Sequence, residues 1–243
     1  MSRHADLERR SWLVGAGAAA VTLAVRPLAA ADTKADDDDE KHDAKEVLAV
    51  EDLMREHGVL RRSLLVYAEA ASRLVNGGTP LPWDALAQTA ALFRTFGEDY
   101  HERALEERHV FVPLIQAGGT NAALARTLAA QHQRGREITD YISATAKAGR
   151  AANPIAFAKA LTAFVRMYEH HAAIEDTIIF PAWKRAISAA QYDELSDQFE
   201  DLEHKMFGKD GFEDALQRIA RIEQACGLSD LAAMTPPAPV RSG

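Results

Sequence analysis

The sequence predicts an all-α protein, and three observations carry the prediction. Apolar residues recur at helical spacing in stretches rich in Ala and Leu. Alternating Val, Ile and Thr bounded by turn residues are nearly absent. The periodic stretches are long and are separated by short clusters of Gly, Asn and Pro, the pattern of an up-down-up-down four-helix bundle with additional C-terminal helices.

Taken in order, residues 1–31 read as an export signal. A basic start ends in Arg9-Arg10, a small-residue apolar stretch runs from Trp12 to Val25, and Ala29-Ala30-Ala31 offers a cleavage site before Asp32. The apolar run is short for a membrane span, which needs about 20 residues. Glu8-Arg9-Arg10-Ser11-Trp12-Leu13 resembles a twin-arginine signal, with Glu8 where Ser or Thr is usual and Trp12 where Phe is usual. Residues 32–44 carry the run Asp36-Asp37-Asp38-Asp39-Glu40 and read as a solvated, flexible acidic linker.

Residues 45–228 read as the helical bundle. A first helix from 45 to about 75 carries Leu53, Leu60, Leu64 and Tyr67 and ends at Asn76-Gly77-Gly78-Thr79-Pro80. Pro82-Trp83-Asp84 opens a second helix to about 116, before Gly118-Gly119. A third spans 121 to about 148, closed by Gly149 and Asn153-Pro154, and a fourth runs from 155 to 180, ending at Phe180-Pro181. Two further helices are expected over 188–207 and 211–227, and residues 229–243 read as a disordered tail.

Composition narrows the function. An apolar content of 47% over 243 residues is enough for a sizeable core. The formal charge of −8 moves to −10 once the signal's four arginines and two acids are removed, so the mature protein is acidic and nucleic acid is excluded as a partner. The membrane enters only during export, and the expected location is periplasmic or secreted. A single cysteine, Cys226, has no intramolecular partner and reads as a packed thiol in the last helix.

The chemistry lies in the histidines. His101 is followed by Glu106, Glu107, Phe111 and Pro113, and His171 by Glu175, Asp176, Phe180 and Pro181. His57 and His132 each sit singly on another helix, so four helices offer four imidazoles and two carboxylates to one core, enough to hold two metal ions. His171 and Glu175, at i and i+4, share a helix face. Glu106 stands at i+5 from His101, roughly 140° away on a regular α-helix. A π-bulge would bring it back. The shared five-residue spacing to Phe111 and Phe180 aligns Glu106 with Glu175 and Glu107 with Asp176, with Glu102 the alternative ligand. Arg136, four residues after His132, pairs with a carboxylate, and His204 is a further candidate ligand or covering residue.

These segments resemble the hemerythrin-like family, the HHE cation-binding domain. The likeness is carried in order by Glu51 to Arg62 around His57, Asp99-Tyr100-His101-Glu102 with Leu105-Glu106-Glu107, Gln131 to Arg136 around His132, and Met167-Tyr168 through His171, Glu175, Asp176 and Pro181. The resemblance implies a non-haem di-iron site bridged by carboxylates and an oxo or hydroxo group. His57, His101, His132 and His171 would be terminal ligands and Glu106 and Glu175 bridges. Respiratory members have a histidine where Arg136 stands here and end on an aspartate at the place of Asp176, so simple oxygen carriage is not the expectation.

The expected function is an exported di-iron protein that binds or senses oxygen or a related small oxidant such as peroxide or nitric oxide, with Zn or Mn as alternative metals. The alternatives are a di-iron peroxidase- or oxidase-like enzyme, with Tyr100 or Tyr168 as electron donors, and non-catalytic iron or zinc sequestration. A signal cleaved after Ala31 makes one plain prediction: N-terminal sequencing of the exported protein should begin at Asp32, and an N-terminus upstream of it refutes the cleavage site.

Overall fold

The computed structural model describes residues 47–77 and 79–239. The expected export signal (1–31) and acidic linker (32–44) lie outside them, as does the end of the expected tail. Among the described residues there are six helices and no strand. No helix among them is long and apolar enough to cross a membrane.

Helix α1 is Ala49–Asn76, and helix α3 is Gly119–Lys147. Between them α2 covers 83–117 without a break, as α-helix Trp83–Leu92, π-helix Phe93–Val110 and α-helix Phe111–Ala117. Helix α4, 154–186, is built the same way from Pro154–Ile174, a π-helical turn Glu175–Ile179, and Phe180–Ala186. Helices α5 (Ala189–Phe207) and α6 (Gly211–Cys226) complete the chain. Residues 229–239 are exposed, with turn hydrogen bonds from Met234 N–H to Leu231 and from Thr235 N–H to Ala232.

Local chemistry places several helix starts. The Asn153 side chain accepts from Ala156 N–H at 3.0 Å with Pro154 in the first turn of α4. Ser188 and Gln191 form a capping box on α5, and Asp210 accepts from Glu213 N–H at 2.7 Å on α6. The second helix runs past Pro113, as expected, but the expectation that Pro181 stops the fourth is wrong. Each proline falls in the first turn of a fresh α-helical segment following a π-helical one, where its missing N–H leaves the ladder intact. The fourth helix therefore reaches Ala186, not Phe180.

Packing is dominated by α1 along α4 and α2 along α3, with α6 laid on α1 and the start of α2. The interior is aromatic at one end of the site, where Tyr67, Phe93, Phe164 and Tyr168 meet edge to face or tilted at 4.7–6.1 Å. At the other end Trp183 stacks on Phe199 of α5 at 6.1 Å. Cys226 is buried at the end of α6, as expected of a packed thiol.

Gly135, in the middle of α3, is where Tyr168 comes closest: a Cβ there would lie 2.1 Å from the Tyr168 hydroxyl oxygen. Alanine in a helix interior normally gains about 1 kcal/mol over glycine. Gly135→Ala should do the reverse and destabilise by about 1–3 kcal/mol through overpacking, read by chemical denaturation; a stabilised variant refutes the close approach.

Candidate metal centre

The π-helical stretch of α2 settles the spacing problem posed by His101 and Glu106. With hydrogen bonds reaching back five residues, as from Phe111 N–H to the Glu106 carbonyl, residues five apart return to one face. His101 Nε2 accordingly lies 3.3 Å from Glu106 Oε1. On α4 the α-helical spacing suffices, and His171 Nε2 is 3.0 Å from Glu175 Oε1.

The four imidazoles form two pairs, His57 with His101 and His132 with His171, each with ring centroids 4.7 Å apart. Glu106 and Glu175 divide their oxygens between the pairs. Glu106 Oε1 and Glu175 Oε2 face His57 Nε2 at 4.0 and 3.4 Å. Glu106 Oε2 and Glu175 Oε1 face His132 Nε2 at 3.4 and 3.9 Å. One oxygen of each carboxylate toward each imidazole pair is the arrangement a carboxylate needs to bridge two cations. All six side chains are at most 3% exposed.

Every Nδ1 points the other way and is tied. His57 Nδ1 donates to Asp176 Oδ1 at 2.7 Å, His101 to Glu56 Oε2 at 2.5 Å, His132 to Glu107 Oε1 at 3.0 Å, and His171 to Gln131 Oε1 at 2.9 Å. Carboxylate and amide oxygens only accept, so each Nδ1 carries a proton and each Nε2 faces the centre, where it offers a lone pair once any second proton is displaced. A ring of four interhelix hydrogen bonds results.

The donor set fits a metal. Both oxygens of Glu106, both of Glu175, and His101 Nε2 are buried without a hydrogen-bond donor. His132 Nε2 and His171 Nε2 sit 3.0 Å apart. Buried acceptors facing one another cost several kcal/mol unless a cation compensates them. Two groupings can hold one, His57, His101 and Glu106, and His132, His171, Glu106 and Glu175. A third grouping, Glu102, Glu107 and His132, has a cation already: Arg136 Nη1 reaches Glu102 Oε2 at 3.0 Å and Glu107 Oε1 at 2.8 Å.

All six expected ligands, His57, His101, Glu106, His132, His171 and Glu175, therefore meet in one place. Glu102, the alternative, also borders the cavity, but its oxygens are taken by the Tyr168 hydroxyl at 2.6 Å and by Arg136 Nη1 at 3.0 Å. Asp176 and Glu107 orient imidazoles, as their shared register suggested, and Arg136 pairs with carboxylates as expected. His204 is exposed on α5 and away from the imidazoles, because its helix covers the end of the molecule and turns this residue to solvent. Glu56 and Gln131 were missed. Each precedes an expected ligand by one residue but serves a histidine on a different helix, a relation without a spacing signal.

Charge is balanced at close quarters. Burial alone would lower the His132 imidazole, but Glu102, Glu107, Glu106 and Glu175 outweigh it and hold it up at about 9. Burial is likewise overcome at His101, which Glu106 and Glu56 raise well above the ordinary range, and at His57, raised by Asp176 and Glu175. Burial would raise Asp176, yet its hydrogen bonds to His57 and Arg61 hold it low; Glu175 is lowered against burial by His171 and His57.

The hemerythrin HHE cation-binding domain is the family model that matches this chain, over residues 48–183. An uncharacterised protein of Mycobacterium bovis and uncharacterised proteins from two strains of Mycobacterium tuberculosis are each 43% identical over 194 residues, covering 78% of this chain and 74% of theirs. No solved structure matches.

A raised histidine contributes stability that is complete below its unfolded pKa, about 6.5, and lost as pH rises through the folded value. Chelator-stripped protein should therefore lose stability between about pH 6.5 and 9 as His132 gives up its proton. Metal competes with that proton, so affinity should rise over the same interval. Denaturation and metal titration at pH 6 and 9.5 check both; a metal-free protein that is more stable at the higher pH contradicts the assignment.

Proposed function

Because the chain belongs to the hemerythrin HHE cation-binding domain family, we propose that Glu106 and Glu175 bridge two iron ions in the core, with His57 and His101 completing one position and His132 and His171 the other. The observation that carries this reading is the divided use of the two carboxylates, one oxygen toward each imidazole pair. In this reading the four long helices, 49–76, 83–117, 119–147 and 154–186, form an up-down-up-down bundle, since short connections favour antiparallel neighbours. The protein acts after export, its metal site filled before a twin-arginine pathway carries it out folded.

The proposed activity is the binding or sensing of oxygen or a related small oxidant. Imidazole suits iron, copper or zinc, while bridging carboxylates favour iron or manganese. Bound iron supplies electrons to an oxidant. The chain's own residues hold each imidazole by its Nδ1, keep the Glu175 carboxylate ionised and exclude bulk water. The cavity beside the imidazoles is about 10 Å³, at the lower limit for one water, so only the smallest ligands suit it. A peroxidase-like variant of this reading is supported by Tyr168, buried along that cavity with its hydroxyl on Glu102, well placed to give an electron.

Iron-replete expression should yield protein with about two irons per chain and an oxygen-dependent charge-transfer band. His101→Ala should lower iron content and abolish the band. Colourless, ion-free wild-type protein overturns the proposal. Stoichiometric, reversible gas binding favours sensing, peroxide turnover lost in His101→Ala favours the enzyme, and equally tight zinc with no oxidant chemistry favours sequestration.

A further inference from the structure

The cavity at the centre is lined by residues of α1, α2, α3 and α4, and all but one are buried. The exception is Arg61, whose side chain is 42% exposed. His57, Leu60 and Leu64 stand beside it on α1 and Ala172 on α4, so Arg61 is the place where the cavity wall reaches solvent. Arg61 is held by an ion pair from Nη2 to Asp176 Oδ2. The other oxygen of that carboxylate, Oδ1, receives His57 Nδ1.

We propose that Arg61 is the gate residue of this cavity, closing the route taken by small ligands and metal, with Asp176 as its latch. The proposal rests on the metal reading above. One carboxylate serves both the gate and the His57 imidazole, so when the guanidinium swings into solvent the cavity opens and His57 loses part of its anchoring together.

The comparison with Arg136 shows why only one side opens. Both arginines stand four residues after a lone histidine and both clamp the carboxylate that orients it, Asp176 for His57 and Glu107 for His132. Arg136 is 9% exposed in its side chain and bonds Glu102 as well, which in turn holds Tyr168. Arg61 has one carboxylate partner and a free path to solvent. An ion pair open to water on one side is worth little, so the latch releases often.

The test uses the full-length iron-loaded protein with Arg61→Ala, Arg61→Lys, and Arg62→Ala as a control, since Arg62 pairs with Glu223 of α6 and does not line the cavity. Two rates are measured, nitric oxide binding by stopped-flow absorbance and iron removal by a chelator. Arg61→Ala should raise both by about fivefold, the loss of one such ion pair, while Arg62→Ala stays at the wild-type rates. Arg61→Lys should restore most of the wild-type slowness by re-forming a pair with Asp176. Unchanged rates in Arg61→Ala, equal acceleration in Arg62→Ala, or a lysine variant as fast as alanine overturns the gate. Should wild-type protein carry no metal, the metal reading fails alone. Diethylpyrocarbonate labelling then decides the gate, with His57 modified faster in Arg61→Ala than in wild type if it exists and at the same rate if it does not.

Discussion

Four hydrogen bonds run around the core, each from an imidazole Nδ1 on one helix to an acceptor on the helix before it, and the ring closes from α4 back to α1. His101 of α2 reaches Glu56 of α1, His132 of α3 reaches Glu107 of α2, His171 of α4 reaches Gln131 of α3, and His57 of α1 reaches Asp176 of α4. The ring sets one tautomer for all four histidines, turns every Nε2 inward, and makes the position of each helix depend on its neighbour.

The ring also accounts for the polar content of an otherwise apolar interior. A core holding His57, His101, His132, His171, Glu106 and Glu175 at near-zero exposure would be costly if those groups were independent. Here the outward nitrogens are satisfied by acceptors, Arg61 and Arg136 neutralise two of those acceptors, and the inward atoms share one compact volume. On these six side chains, the atoms left without a partner, both oxygens of Glu106 and of Glu175 and His101 Nε2, are ones a cation would satisfy. Structural economy and the proposed chemistry come from the same arrangement.

The two halves of the centre are related but not equal. His57-Arg61 and His132-Arg136 repeat the same spacing, yet one arginine meets solvent and the other is enclosed by Glu102, Glu107 and Tyr168. Gly135 permits that enclosure by leaving room for the Tyr168 hydroxyl. The two acceptors on the remaining histidines differ in charge as well, Glu56 ionisable and Gln131 neutral. A centre assembled from near repeats thus acquires an open and a closed side.

Much of this was legible in the sequence, because the relevant signals are local. Helical periodicity and the i to i+4 relation of His171 to Glu175 both depend on residues within a few positions of one another. The i+5 spacing of His101 and Glu106 likewise points to a widened helix if both side chains are to reach one centre. Residues such as Glu56 and Gln131 were invisible for the opposite reason. Their partners lie 45 and 40 residues away on other helices, and a hydrogen bond across that distance leaves no period to read. The proline at 181 misled for a related reason, since a proline stops a regular helix but begins a new segment after a π-helical one, and where the ladder changes register is decided by packing. The sequence by itself determined the helices and which imidazoles and carboxylates they carry; only the tertiary structure decided which atoms of those side chains face the centre, because orientation is set by contacts between helices and not along them.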